Sequence, residues 1–157
     1  MDKRIRIIGL AVFIGLAGRA GPGDAQLFSS TGPVIAILDG ELLLGEATGH
    51  LGGWGTIALH SRTKAARTCV GEFTYSEALG DSGQLRCSDG TSSAFRFQRL
   101  GLTRGYGAGS SSGNALSFTY GLSAQDSAPY LTLPAGKELS GDGNDLELVA
   151  AVPFLPR

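Results

Sequence analysis

The segment GEFTYSEALGDSGQL, Gly71–Leu85, is the second copy of a pattern that first occurs as GEATGHLGGWGTI, Gly45–Ile57. Each copy consists of a strand-like stretch, a glycine-rich turn and a second strand-like stretch. A degenerate third copy runs from Leu100 to Phe118. Repeated hairpins bury their apolar side by packing against their neighbours. The repeat therefore predicts a β architecture, and no recognisable catalytic motif accompanies it.

Alternation of apolar and polar residues extends the strand prediction beyond the repeat. Cys69, Phe73 and Tyr75 fall on one side of a strand, and Leu85 and Cys87 fall on one side of the next. A period of two is the signature of a β-strand. We place strands at 33–38, 41–48, 55–60, 68–75, 83–88, 94–103, 115–120 and 129–133. The predicted fold is all-β, an antiparallel hairpin meander of about seven or eight strands that either stays curved or closes into a small barrel.

The ends of the chain are predicted to lie outside this sheet. Residues 1–25 have the basic start, apolar run and small-residue end of a signal peptide, with cleavage after Ala20 or Ala25. Residues 26–133 then form a single β domain with repeated hairpins, and residues 134–157 are expected to be a weakly structured C-terminal segment. The protein is expected to be exported, periplasmic or secreted, with no integral membrane segment after cleavage.

Charge argues against a nucleic-acid partner. The full chain has 13 basic and 14 acidic residues, and residues 1–25 hold four of the former and two of the latter. The remaining chain thus keeps 9 basic and 12 acidic residues, a formal charge of −3. Nucleic-acid binding requires clustered cations that displace counterions.

Cys69 and Cys87 are the two cysteines of the chain. Both fall on the apolar side of predicted strands, so a hairpin brings them together. Disulfides persist in the exported compartment that we predict. We expect a disulfide between them, and the alternative is two buried thiols. Neither cysteine has a neighbouring histidine to complete a metal site, and we predict no metal and no cofactor.

Few residues suggest chemistry. His50 and His60 are the only histidines, and neither sits in a nucleophile motif. Glu46 and Glu72 occupy equivalent repeat positions and would form a carboxylate pair if their strands were neighbours. The simpler interpretation is that repetition places one solvent-facing residue in each unit. We predict no catalytic residue.

The segment 104–114 is rich in glycine and serine, which favours a long hairpin loop. Arg104 and Tyr106 lie near its start. Loops carry binding residues more often than cores do, and arginine next to an aromatic ring suits a stacking contact. We therefore take Arg104 and Tyr106 as the candidate binding loop.

The pattern resembles the MORN repeat (membrane occupation and recognition nexus). Val70–Phe73 matches the family's Gly-polar-Phe core, and Gly83–Leu85 follows its second strand. The first copy departs from it, with Ala47 in place of Phe. The resemblance covers residues 41–120 and implies a non-catalytic scaffold of meandering hairpins. Membrane or protein contacts are credited to some members of that family.

Two functional hypotheses follow. The first is a non-catalytic structural or binding module whose partner is another envelope component, a protein or a glycan. The second is a periplasmic hydrolase acting on cell-wall material or polysaccharide, or an inhibitor of one. An enzyme would require Glu46, Glu72 or His50 to line a pocket. An inhibitor would present residues 107–112 as a protruding loop.

Overall fold

A computed structural model of the protein describes residues 29–63, 67–77, 80–111 and 113–153. The predicted signal peptide, residues 1–25, lies outside these residues. The elements are β1 Ser29–Leu38, β2 Glu41–His50, β3 Trp54–Ser61, β4 Thr68–Thr74, β5 Ser82–Cys87, β6 Ser92–Arg99, β7 Gly105–Ser111, β8 Asn114–Tyr120, α1 Ala124–Ser127, β9 Lys137–Ser140 and β10 Glu147–Ala150. Two short 3-10 turns, Ala128–Tyr130 and Gly143–Asp145, lie between the last three.

Strands β1 to β8 form a closed antiparallel barrel in chain order. Each strand pairs with the next, and β1 also pairs with β8 from Val34 opposite Tyr120 to Leu38 opposite Leu116. Closure removes both free sheet edges, whose unpaired backbone groups would otherwise seek partners. The all-β prediction is confirmed, and of its two forms the closed barrel is the one adopted.

Glycine and aromatic residues alternate around the inner wall of the barrel. Phe73 lies between Gly55 on β3 and Gly83 on β5, and Phe97 lies opposite Gly107 on β7. A β-carbon at Gly55 or Gly83 would collide with the ring of Phe73 or Phe95, respectively. The repeated glycines therefore make room for rings inside a narrow barrel.

The disulfide joins the two strands of the middle hairpin. Cys69 on β4 lies directly opposite Cys87 on β5, and their sulfurs are bonded. Both residues face the inner core, where Leu59 and Leu85 are also buried. The predicted bridge is confirmed. In the chain-entropy view, closing a loop of this size stabilises the fold by about 3 kcal/mol.

A second core lies on the outside of β1 and β2. Ile35, Ile37, Leu42 and Leu44 point outward and are covered by the C-terminal segment, chiefly through Leu131 and Leu146; we call this segment, residues 122–153, the strap. Because Val34–Leu38 of β1 and Leu42–Leu44 of β2 are buried on both faces, these parts of the two strands are continuous apolar runs.

Three local predictions were wrong. Residues 105–111 form strand β7 instead of a long loop at 104–114. The strand expected at 129–133 is absent, and residues 128–130 form a 3-10 turn. The C-terminal segment, expected to be weakly structured, contains the β9–β10 hairpin. Glycine content misled the first prediction, because β7 uses its glycines to face inner aromatic rings.

Candidate functional site

The inside of the barrel is filled at one end and open at the other. Aliphatic side chains and the disulfide fill the end where β1 finishes, with Leu38, Leu43 and Cys69 completely buried. Towards the other end a cavity of about 380 Å³ opens between the strands. We call this opening the mouth; it lies where β1 begins and where the β2–β3, β4–β5 and β6–β7 turns are located.

Six aromatic rings line the cavity, namely Phe73, Tyr75, Phe95, Phe97, Phe118 and Tyr120. Five of them, all except Tyr75, make edge-to-face contacts: the ring centroids of Phe95 and Phe118 are 5.0 Å apart at 76°, and those of Phe97 and Tyr120 are 6.0 Å apart at 87°. Such contacts add to the stability gained by burial and restrict ring orientation. The wall is therefore apolar and already shaped before any molecule enters.

Polar groups are confined to the rim of the mouth. The Tyr75 hydroxyl donates a hydrogen bond to the His50 carbonyl, and Ser29, Ser30 and Thr103 are among the residues that border the opening. Arg99 is a charged residue that lines the rim. Its guanidinium lies 5.6 Å from the Tyr75 ring centroid, a cation–π contact, and its Nε donates to Asp81 Oδ2 at 2.9 Å.

Tyr120 marks the change from apolar wall to polar rim. Burial raises the pKa of its phenol to about 12. The negative charge of Asp81 also raises this pKa, by less than burial does, and the positive charge of Arg99 lowers it. The hydroxyl lies over Gly105, where a β-carbon would collide with it. Tyr120 therefore keeps its proton at neutral pH and can donate it in a hydrogen bond within the cavity.

The opposite end of the barrel has a depression of a different character. It is lined by Glu41, Arg67 and Asp89 among others. Arg67, buried at 7 % side-chain exposure, pairs with Glu41 and lies 3.0 Å from Asp89 through its Nε. Hydrogen bonds from Thr91 lower the pKa of Asp89, with Arg67 contributing less. Arg67 is thus neutralised by two carboxylates, although its buried Nε makes no hydrogen bond to any residue that the structure describes.

The predicted binding residues do not line the cavity. Tyr106 lies in β7 on the outer wall, where its ring stacks on Tyr130 of the strap at 4.3 Å and its hydroxyl donates to Gln98 at 2.7 Å. Arg104 is exposed at the end of the β6–β7 turn, which its carbonyl closes by accepting from the Leu100 N–H. The structure thus separates the two residues, one onto the wall and one beside the mouth.

The residues considered for catalysis are also dispersed. Glu46 and Glu72 are exposed on β2 and β4, which are separated by β3, so they form no neighbouring pair. His50 lies at the mouth, with its ring stacked on Trp54 at 4.0 Å. His60 is exposed on the outer wall. Among the described residues, neither histidine is hydrogen-bonded to a serine or a carboxylate, and no group of three metal-ligating side chains occurs.

Within the same described ranges, no helix has the length and apolar character needed to cross a membrane. Comparison with known proteins gives no match, whether with protein-family models, curated proteins or solved structures.

The cavity was not predicted from the sequence. Its aromatic residues carried a signal, because Phe95, Phe97, Phe118 and Tyr120 alternate with polar residues and therefore share a face. Whether rings on one face fill a core or leave a space depends on barrel closure and on how far each ring reaches across. Neither barrel closure nor the reach of each ring can be predicted from the alternation of residues along one strand.

Proposed function

We propose that the protein is an exported, non-catalytic binding protein that holds a small, neutral amphipathic molecule in the barrel cavity. The observation that carries this proposal is the aromatic-lined cavity of about 380 Å³ beneath a polar rim. Small-molecule sites are commonly concave and apolar, have volumes of roughly 300–1,000 Å³, and contain a few polar groups that orient the ligand.

The rigidity of the wall supports binding. The edge-to-face contacts of Phe73, Phe97 and Tyr120 connect three strands, β4, β6 and β8, through their side chains. A wall that is ordered before binding loses little conformational freedom when a ligand enters. Burial of the ligand's apolar part then contributes about 25 cal/mol per Å².

The polar groups at the rim favour a ligand whose polar head group is neutral. Asp81 already neutralises Arg99 at 2.9 Å, so a ligand carboxylate would have to compete with an existing ion pair. The protonated phenol of Tyr120 and the rim hydroxyls can bond to a hydroxyl, ester or amide without a charge change. A neutral ligand thus pays the smaller desolvation cost.

The compartment is inferred from the chain and the disulfide. The bridge between Cys69 and Cys87 fits an oxidising environment, as does the predicted signal peptide. The sequence analysis expected an envelope protein or glycan as the partner. Because of the cavity we propose a small molecule of the envelope instead, for which the barrel is the carrier or sensor.

The hydrolase alternative gains no support from the geometry. Glu46 and Glu72 face outward from strands that are not neighbours, and the ring of His50 is stacked on the ring of Trp54. The inhibitor alternative predicts a protruding loop at 107–112. Residues 107–111 instead lie within β7, so this alternative gains no support either.

The proposal is tested with N-phenyl-1-naphthylamine, a neutral dye that fluoresces in apolar sites. We expect saturable binding with a stoichiometry near one. Ala47→Leu places three extra carbon atoms on the inner face and should weaken dye binding about tenfold or more, because the added volume occupies the cavity.

Ala58→Leu is the matched control, since Ala58 is exposed on the outer face of β3. It should bind the dye as wild type does. Equal binding by both variants, or no saturable signal from wild type, would contradict the proposal. In competition, dodecanol should displace the dye at lower concentration than dodecanoate; the reverse order would contradict the neutral head group.

A further inference from the structure

We infer that the mouth end of the barrel docks on the surface of a lipid bilayer, with Leu51 and Leu102 entering the apolar layer and Trp54 at its boundary. The inference rests partly on the proposed function, because a bilayer would be the source or destination of the amphipathic ligand. It also rests on an independent observation, namely that the mouth end of the barrel exposes apolar side chains whereas the other end carries polar and charged ones.

The mouth end exposes large apolar side chains on its turns. Leu51 in the β2–β3 turn is 76 % exposed and Leu102 in the β6–β7 turn is 100 % exposed. Trp54 and Leu100 beside them are 50 % and 42 % exposed. Single exposed apolar residues are ordinary on a protein surface, whereas a group at one end indicates a contact site.

The other end of the barrel lacks such residues within the described part of the chain. Its turns carry Asp39, Arg62, Ser88 and Asp89, and its centre is the Glu41–Arg67 pair. The two ends are built from the same kind of hairpin, so turn geometry does not account for their different polarity. The barrel is amphipathic along its axis.

The position of the apolar turns favours a bilayer as the occupant. Leu51 and Leu102 are both lining residues of the cavity, at its opening. A bilayer contact there would cover the turns and would place the apolar cavity against the acyl chains. An apolar molecule could then pass between membrane and cavity without crossing water, which costs about 0.8 kcal/mol for each exposed methylene group.

Charge at the mouth favours a zwitterionic surface. The described charged residues of the β4–β5 and β6–β7 turns are Glu77, Asp81 and Arg104, and Arg99 adjoins them. Two positive and two negative groups give no net attraction to anionic lipid. Binding should therefore depend on apolar burial and persist in high salt. Trp54 is suited to the boundary, since tryptophan is enriched where apolar and polar layers meet.

Trp54 is also the only tryptophan of the chain, which makes it a direct reporter. The test uses the chain without the predicted signal peptide, which retains every described residue, and phosphatidylcholine vesicles. We expect co-sedimentation with the vesicles and a blue shift of Trp54 emission that is unchanged between low and 1 M salt. The double variant Leu51→Ser, Leu102→Ser should lower the partition coefficient about tenfold or more.

The double variant Val70→Ser, Val152→Ser is the matched control. Val70 and Val152 are 63 % and 82 % exposed, and they lie on the outer wall and in the strap. The control should partition as wild type does. Absence of vesicle binding by wild type, equal loss in both double variants, or binding that requires anionic lipid would overturn the inference. So would a dimer without vesicles that the Leu51, Leu102 variant dissociates, since the mouth would then bind a second copy.

Dye binding in the absence of vesicles separates this inference from the proposed function. We expect the Ala47→Leu variant to bind vesicles as wild type does while binding the dye less tightly, because Ala47 lies on the inner wall and not on the exposed turns. Failure of wild type to bind the dye, with vesicle binding intact, would refute the ligand proposal and leave the docking inference standing.

Discussion

At the scale of single residues, the barrel depends on the pairing of rings with glycines across its inner wall. Phe95 faces Gly83 and Gly109 on its two neighbouring strands, and Phe118 faces Gly107. A ring that leans across the adjacent strand needs a position without a β-carbon. This spatial need accounts for Gly55 and Gly83 of the two repeats, whereas a β-carbon at Gly45 or Gly71 would meet the neighbouring strand and no ring. It predicts that glycines facing a ring are sensitive to substitution.

Gly107→Ala should destabilise the protein. The new β-carbon would lie 2.5 Å from the Arg96 carbonyl oxygen and 2.5 Å from the Phe118 ring, distances that require the strand or the ring to move. Overpacking of this kind costs about 1–3 kcal/mol of unfolding free energy. Urea unfolding followed by circular dichroism measures the loss.

Gly49→Ala is the control for that substitution. Gly49 also lies on an inner strand face, but its nearest neighbour would be the Tyr75 hydroxyl at 3.9 Å, an ordinary contact. Its unfolding free energy should stay within about 0.5 kcal/mol of wild type. Equal unfolding midpoints for the two variants would show that the rings do not require the glycines.

The raised pKa of Tyr120 predicts that the folded protein loses stability at alkaline pH. Burial raises the pKa of its phenol to about 12 in the folded protein, against 10.0 for the ordinary group. The folded state thus holds this proton more tightly than the unfolded state, and the stability it contributes is complete below pH 10 and declines as the pH rises towards 12. A spectrophotometric titration should contain a phenol component near pH 12 that Tyr120→Phe removes. A titration of that variant identical to wild type would refute the assignment.

At the scale of elements, the strap gives β1 and β2 their second buried face. It contacts the barrel through apolar residues and through polar pairs, including the buried hydrogen bond of 2.6 Å between the Thr119 and Ser127 hydroxyls. The Thr132 N–H also donates to the Ser117 hydroxyl at 2.8 Å. These bonds satisfy polar groups on the outer face of β8 that the strap covers.

Leu146→Ala should show how much the strap contributes. Leu146 is 1 % exposed and packs with Leu42 and Leu44 in the outer core. Removing its side chain leaves a cavity and should lower the unfolding free energy by about 2–5 kcal/mol.

Val152→Ala, at a residue that is 82 % exposed, is the matched control and should change stability by less than about 0.5 kcal/mol. Thermal unfolding of both variants measures the difference. A loss of similar size in both would mean that the strap packs only weakly on the barrel.

At the scale of the whole molecule, closure by β1 and β8 joins residues that are 78 to 86 positions apart, from Leu38 with Leu116 to Val34 with Tyr120. This β1–β8 pairing, which we call the seam, is continued at each end by one backbone hydrogen bond. The Gly121 N–H donates to the Pro33 carbonyl at 2.8 Å, and the Asp39 N–H donates to the Ala115 carbonyl at 3.0 Å. The seam decides whether the aromatic residues enclose a cavity or line an open groove.

Hydrogen exchange tests closure directly. Amides of β8 that face β1 should exchange as slowly as those that face β7, because both are in a ladder of the same cooperative unit. An open meander would leave every second amide of β1 and β8 unprotected. Fast exchange confined to those alternate amides would contradict a closed barrel in solution.

Much of this architecture could be predicted from local sequence. Alternation placed the strands from 33–38 to 83–88 close to their observed positions, and it placed both cysteines on one face. Asp39-Gly40 between two apolar stretches is typical of a tight turn, and both residues have positive φ, 52° and 77°. Signals of this kind act over a few residues, so they survive in the chain without knowledge of the fold. The similarity to MORN repeats stays a prediction, since no comparison tests it.

The sequence by itself determined the strand class, the hairpin order and the partner of each cysteine, because these depend on side-chain alternation and on turns between neighbours. Only the tertiary structure decided that β8 returns to β1, that glycine-rich residues 105–111 form a wall, and that the mouth remains open while the other end is filled. Each of these depends on the volume enclosed when eight strands close, and that volume is set jointly by residues that lie far apart in the chain.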